Sequence, residues 1–198
     1  MSYGKDALYK VRRLGEFGVQ LEVMGIDDIY SKAKRAKPGF DDAIKKLAKR
    51  HHAEPIITSL KTKERAQEKA TAQYNGDINQ VDDILRASVI VTGSDKVSAV
   101  FNSILSEFDV IRASNKYTEK QHSSDGFFDA RVYVNLDGLP AEIQIHTIAM
   151  QSAKESVHDL YEERQRIIRS GKPINQEQRK RIAEINKKMR DIFRKANQ

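Results

Sequence analysis

The chain has 198 residues, 39% hydrophobic and 32% charged, with a formal net charge of +7. That length and balance suit one domain with a real core, or such a domain with a helical extension. With no cysteine, disulfides and thiolate metal sites are excluded, and no apolar run is long enough to cross a membrane.

The charge is unevenly spread. Residues 1–70 carry 16 Lys/Arg against 10 Asp/Glu, residues 71–160 carry 7 against 13, and residues 161–198 carry 12 against 5. Basic ends around an acidic middle suit an anionic partner such as polyphosphate, nucleotide or RNA. Solvation of exposed helix faces explains the last segment better when it is taken alone. With no charged-then-apolar leader at the start, the expected location is the cytoplasm, or a target cytoplasm for a delivered toxin domain.

Along the chain, residues 1–25 hold short apolar groups broken by Gly4, Gly15, Gly18 and Gly25, and define no element. Asp27 can cap a short helix holding Ile29, Tyr30 and Ala33, which Pro38-Gly39 should break. A second helix is expected over about residues 41–50, with Ile44, Leu47 and Ala48 inward. Residues 55–60 read as a short strand. Residues 61–74 read as a charged helix closed by Asn75-Gly76. Residues 84–93 form a buried strand, after which Ser94 is expected to cap a helix with Val97, Val100, Phe101, Ile104 and Leu105 on its apolar stripe. Another strand (109–114) and a polar loop (115–126) follow.

Two alternating runs then flank Asp137-Gly138, a strong signal for a two-residue hairpin turn. The turn opposes Leu136 to Leu139. Counting outward sets Tyr133 against Glu142, Arg131 against Gln144 and Asp129 against His146, all on one polar face expected to be open. Beyond it, Met150, Ala153, Val157, Leu160 and Tyr161 recur at helical spacing. Asn175 can cap a last helix whose stripe is Ile182, Ile185, Met189, Ile192 and Phe193. The two helices are expected to pack as a hairpin against the sheet or a partner.

Lys61, Lys63, Arg65 and Lys69 precede Asp82-Asp83 at a strand entrance, and Glu142 follows on its own strand. A Mg²⁺-nucleotide site needs one or two carboxylates for the metal and several cations for the phosphates. Each feature alone also reads as solvated surface. Other chemistries find no support: there is no Walker or Rossmann glycine loop, no metal-ligand spacing among the histidines and no GxSxG elbow.

Taken in order, KTKERAQEK, DDILRASVIV, the Gly126-Phe127-Phe128-Asp129 junction and AEIQIHTIAMQSAKESVHDLYEE resemble the synthetase domain of the RelA/SpoT family. The resemblance implies an α+β fold: a mixed, mostly antiparallel sheet flanked by helices, nucleotidyltransferase-like, with a C-terminal helical hairpin. It divides the chain into a mainly helical part (1–58), a synthetase-like core (59–163) and a basic C-terminal helix (164–198). The implied activity is Mg²⁺-dependent transfer of pyrophosphate from ATP to the 3′-hydroxyl of a nucleotide or RNA, in a housekeeping or a toxin setting. Lys61 and Lys69 would contact the ATP phosphates, with Arg65 close by. Asp83 would hold Mg²⁺, and Glu142 would help hold it or activate the attacking hydroxyl. Lys120 falls near a phosphate-binding loop lysine, Phe127 takes the base-stacking place, and Gln144 and His146 line the same strand.

Departures bear on the acceptor. Phe127 stands where the family has a stacking tyrosine, and Phe128, Ser88 and His146 stand where it commonly has arginine. Losing these cations favours an acceptor other than GDP or GTP, such as adenosine nucleotides or a tRNA 3′ end. A catalytically silent RNA- or nucleotide-binding module that kept the fold is the rival expectation. The basic ends, and the last helix above all, are expected to add RNA affinity or a homo-oligomer contact.

Overall fold

Strict alternation in residues 130–136 and 139–147 produces the predicted hairpin. In the computed structural model, which describes residues 24–119, 125–170 and 173–196, these are β4 (Ala130–Leu136) and β5 (Leu139–Thr147). Both turn residues have positive φ, 52° at Asp137 and 83° at Gly138, the type I′ geometry that matches strand twist. The register is the expected one: Leu136 pairs with Leu139, Tyr133 with Glu142 and Arg131 with Gln144.

Three more strands complete the sheet: β1 (Glu54–Ile57), β2 (Leu85–Val91) and β3 (Val110–Asn115). The order is β1-β2-β5-β4-β3, with β2 and β5 parallel and the other neighbours antiparallel. Leu85, Ala87, Val89, Ala141, Ile143, Ile145, Val132 and Val134 share one face. That face packs against α1 (Ile26–Arg50) and α3 (Ser94–Glu107) in one continuous core.

Helix α1 corrects the expected break at Pro38-Gly39, because it runs unbroken through the proline. Its buried residues, Ile29, Tyr30, Ala33, Phe40, Ile44, Leu47 and Ala48, stay in phase across that dipeptide. Burying this stripe outweighs the roughly 3 kcal/mol that an interior proline costs. Pro38 itself lies on the exposed side.

Thr62 caps α2 (Lys63–Gln73) by accepting from the Arg65 amide, and Gly76 closes it with φ 87° by donating to the Ala70 carbonyl at 3.0 Å. Ser94 is the first helical residue of α3, not its cap; Gly93 takes that place. The polar loop opens with a short helix, α4 (Lys116–Glu119), and Lys120 lies outside the described residues, as does the glycine-broken opening segment before Met24.

The run expected as one helix after β5 is two, α5 (Ile148–Ser156) and α6 (His158–Ile168), with Val157 at the joint. Tyr161, expected on the inward stripe, is 37% exposed. The last helix, α7 (Gln176–Ala196), starts in a reciprocal cap: the Gln178 amide donates to Asn175 Oδ1 (2.8 Å), and the Asn175 amide to Gln178 Oε1 (3.0 Å). Its Ile185, Met189 and Phe193 join Phe128, Met150, Ala153 and Val157 in a second core. The apolar side of α7 is thus used within the chain itself. Among the described residues no helix is long and apolar enough to cross a membrane.

Candidate active site

The other face of the sheet carries the polar residues. Parallel pairing sets Arg86 beside Glu142 and Ser88 beside Gln144, while β4 adds Tyr133 and Arg131 and β3 adds Arg112 and Ser114. This face was expected to be open, yet Glu142 is 3% exposed and His146 and Asp129 are fully buried. Ion pairs and the elements after β5 cover it. Charged groups remain there because each carboxylate has found partners.

At the entrance to β2, Asp83 Oδ2 lies 3.0 Å from Lys61 Nζ, and its Oδ1 lies 3.2 Å from Lys69 Nζ. Lys61 reaches this point because its backbone amide donates to the Ile84 carbonyl, tying the start of α2 to the start of β2. Lys69 follows two turns along α2. Burial opposes ionisation of Asp83, but the ammonium groups of Lys69 and Lys61 outweigh it and hold the carboxyl below its ordinary range. Asp83 Oδ1 is buried without an aligned hydrogen-bond donor, so a lone pair is available to a cation. Lys69 also lies 3.4 Å from Asp82, which Arg112 pairs from the far side.

Glu142 is oriented on three sides. The Tyr133 hydroxyl donates to Oε1 at 3.0 Å and Gln144 Nε2 donates to Oε2 at 2.9 Å. Arg131 Nε lies 3.1 Å from Oε1, and its guanidinium also pairs with Asp129. Burial, with Glu142 adding to it, pushes the Tyr133 hydroxyl up to about 12, so it stays protonated and keeps donating.

Farther along the face, His146 Nε2 lies 3.1 Å from Gln144 Oε1. Burial, reinforced by the Lys154 ammonium, takes its imidazole down to about 3, so it is neutral. Phe127 is wedged between His146 (ring centroids 5.4 Å) and Phe193 of α7 (5.1 Å). Gly126 permits this: its φ is 81°, and a Cβ there would lie 3.2 Å from the Arg190 Cα. Arg164 of α6 pairs with Asp125 at 2.9 Å, pinning the same junction.

The structure therefore brings Lys61, Lys69 and Asp83 together, and groups Glu142, Gln144, His146 and Phe127 along β5. It does not bring Arg65 to that cluster. The Arg65 guanidinium pairs with Glu162 of α6 at 3.0 Å on the surface. Sequence reasoning missed Arg86, Arg112 and Lys154; for Arg86 the signal was available, since period two puts it on the face of Ser88. A cleft of about 850 Å³ opens at the rim of this face, bordered by Asp82, Arg112 and Tyr133.

The donor set bears on Mg²⁺. Among the described residues no three acidic or histidine side chains cluster as a ready-made cage. One or two carboxylates with phosphate oxygens completing the shell is how Mg²⁺ is usually held beside a nucleotide. Asp83, with its free lone pair, and Glu142 one strand away fit that arrangement.

Residues 52–166 match the family model described as the region found in RelA / SpoT proteins, so the chain belongs to the RelA/SpoT family. It is 32% identical over 131 residues to the (p)ppApp synthetase toxin Tas1 of Pseudomonas aeruginosa (strain UCBPP-PA14). That match takes in 66% of this chain and 29% of the longer toxin. A chain in the crystal structure of the Type VI effector Tas1 with its immunity protein superposes with TM-score 0.61 at 22% identity, covering 86% of this chain and 97% of the other. Small alarmone synthetase 1 from Bacillus subtilis, bound to its product pppGpp, superposes with TM-score 0.65 at 15% identity, covering 86% and 90%. These structures share the fold: a mixed five-stranded sheet with flanking helices.

Proposed function

We propose that the chain transfers pyrophosphate from ATP to the 3′-hydroxyl of an acceptor nucleotide, as the catalytic unit of a toxin or effector. The observation that carries this reading is Asp83 held between Lys61 and Lys69 at the start of β2, the strand that pairs in parallel with the one bearing Glu142. Membership in the family supports the reaction class. The toxin relative supports the setting, and its product, an adenosine nucleotide bearing pyrophosphate, supports adenosine nucleotides as acceptors.

In this reading Lys61 and Lys69 exchange Asp83 for the donor's phosphates, which carry more charge and exclude water from the same spot. Mg²⁺, held by Asp83 with Glu142, would neutralise charge on the transferred group. The acceptor 3′-oxygen bonds to the β-phosphorus of ATP as the bond from that phosphorus to the bridging oxygen of AMP breaks, and AMP leaves with the electron pair. Glu142, aimed by Tyr133 and Gln144, receives the proton of the attacking hydroxyl. Most of the rate comes from positioning and charge neutralisation.

The test is incubation with Mg²⁺ and ATP labelled at its terminal phosphates, with AMP, ADP, ATP, GDP, GTP and bulk tRNA offered in turn. Label on a nucleotide 3′-position and release of AMP are the expected result. No transfer to any of them would leave a silent nucleotide- or RNA-binding module.

A further inference from the structure

Lys61 and Lys69 reach Asp83 from unlike settings. Lys69 sits inside α2, whose helical frame fixes its backbone. Lys61 precedes Thr62, the cap of α2, and belongs to no helix or strand. Its place depends on the partners of its own backbone groups. The amide donates to the Ile84 carbonyl at 2.9 Å, at the entrance to β2. The carbonyl accepts from the hydroxyl of Tyr30 in α1, 31 residues earlier in the chain.

Tyr30 is 6% exposed, and its ring belongs to the main core. A phenylalanine would fill the same space, so what the hydroxyl adds is a donor aimed at the Lys61 carbonyl. Burial pushes this hydroxyl up to about 12, with Glu64 and Asp83 adding to the shift, so it stays protonated. The opening of α1 grips the start of α2 in two further ways. Asp27 pairs with Lys63, and the Lys63 ammonium lies 5.7 Å from the Tyr30 ring centroid. This grip comes from outside residues 52–166, the stretch that matches the family.

We propose that Tyr30 is a positioning residue of the donor site: its hydroxyl fixes the Lys61 backbone and so aims the Lys61 ammonium at the phosphates of ATP. The proposal rests on the reading of Lys61 as a donor-phosphate contact. A lysine stem is flexible, and its ammonium is placed only as well as its root is held. With the amide tied to the start of β2 and the carbonyl tied to α1, Lys61 Nζ is kept where it meets Asp83 Oδ2 at 3.0 Å. Without the hydroxyl the carbonyl end is untied, and part of the binding energy of ATP goes into ordering Lys61.

The experiment measures, by calorimetry with Mg²⁺, binding of α,β-methylene ATP to the full chain; the analogue cannot be cleaved at the reacting bond. Tyr30→Phe should weaken it by about threefold to tenfold, the range of one lost hydrogen bond. In a Lys61→Ala background, with Lys69 still present to hold the analogue, Tyr30→Phe should change the affinity by less than about twofold, because it acts through Lys61. Ile104→Val, a fully buried change in α3 of comparable cost to stability, should leave the affinity within about twofold of wild type. The same loss persisting without Lys61, a similar loss in Ile104→Val, or no loss in Tyr30→Phe would overturn the proposal. Where transfer is measured, Tyr30→Phe should raise the ATP KM and leave the acceptor KM within about twofold, and an equal rise in both also overturns it. A wild-type protein that binds the analogue and shows this pattern yet transfers nothing keeps Tyr30 in its role and sinks the reaction. A wild-type protein that does not bind the analogue sinks both.

Discussion

The two ends of the polar face are built by different means. At the start of β2, the Lys61–Asp83–Lys69 cluster comes from α2, the residues just before it and the residues just before β2, within 23 consecutive residues of sequence 61–83. At the far end, Phe127, His146, Lys154 and Phe193 come from a loop, a strand and two helices. The first end is held by charge, the second by packing in a separate core. Damage should therefore show differently: lost turnover at one end, lost order and acceptor affinity at the other.

The largest effect is expected at the charged end and beside it. Asp83→Asn and Glu142→Gln should each lower transfer by about a hundredfold or more, measured with labelled ATP. Because Glu142 is buried, Glu142→Gln should also cost about 1–3 kcal/mol in urea unfolding, since Tyr133 and Arg131 lose a charged partner. Unaltered turnover in Asp83→Asn would break the comparison at its root.

Phe193→Ala tests the packed end. Phe193 is 2% exposed, and its removal should cost about 3–5 kcal/mol. The acceptor KM should rise while the KM for ATP stays within about threefold, because Lys61 and Lys69 are positioned by α2 and the segment before it, not by α7. An equal rise in both would mean that the ends are not separable.

Acid should weaken both ends. His146 titrates near 3 in the fold against 6.5 unfolded, so the unfolded chain binds the proton first and stability falls as pH drops between those values. Asp83, held low by its lysines, loses its contribution in the same direction, below the ordinary carboxylate range. The His146 part is on the order of a few kcal/mol, and His146→Gln should flatten the unfolding profile between pH 6.5 and 3. A profile unchanged by that substitution would remove His146 from the account.

The smallest effect belongs to Arg65. Its surface pair with Glu162 links α2 to α6 without touching the cluster, so Arg65→Ala should raise the ATP KM by less than about threefold. Lys69→Ala should raise it by about tenfold or more. A reversed order would return Arg65 to the phosphate site.

What could be read in advance follows the same divide. The strands, the hairpin register and the C-terminal stop of α2 are local patterns, and period two with Asp137-Gly138 set which residues share a face. Pro38 misled because a local stop signal was weighed without the apolar stripe that continues past it. The burial of Glu142 and His146 was not legible, because what covers that face arrives from residues far along the chain. Nothing local in the sequence sets Lys154 apart, because it meets Gln144 only through the packing of α5 against the sheet. Likewise, the stripe of α7 was plain, but nothing local told whether it would meet a partner or Phe127.

One feature of the sheet bears on how the molecule is made. Strand β5 lies between β2 and β4, yet 47 residues separate the end of β2 from the start of β5. Contacts that span so much sequence form slowly, because loop closure must precede the gain. Until residue 139 onward has emerged from the ribosome, β2 and β4 each present an unpaired edge, and Asp83 has no opposite strand to face. A nascent chain at that stage lacks the paired site strand and is prone to pair with its neighbours. On the proposed reading, pyrophosphate transfer would wait until the site strand has been inserted.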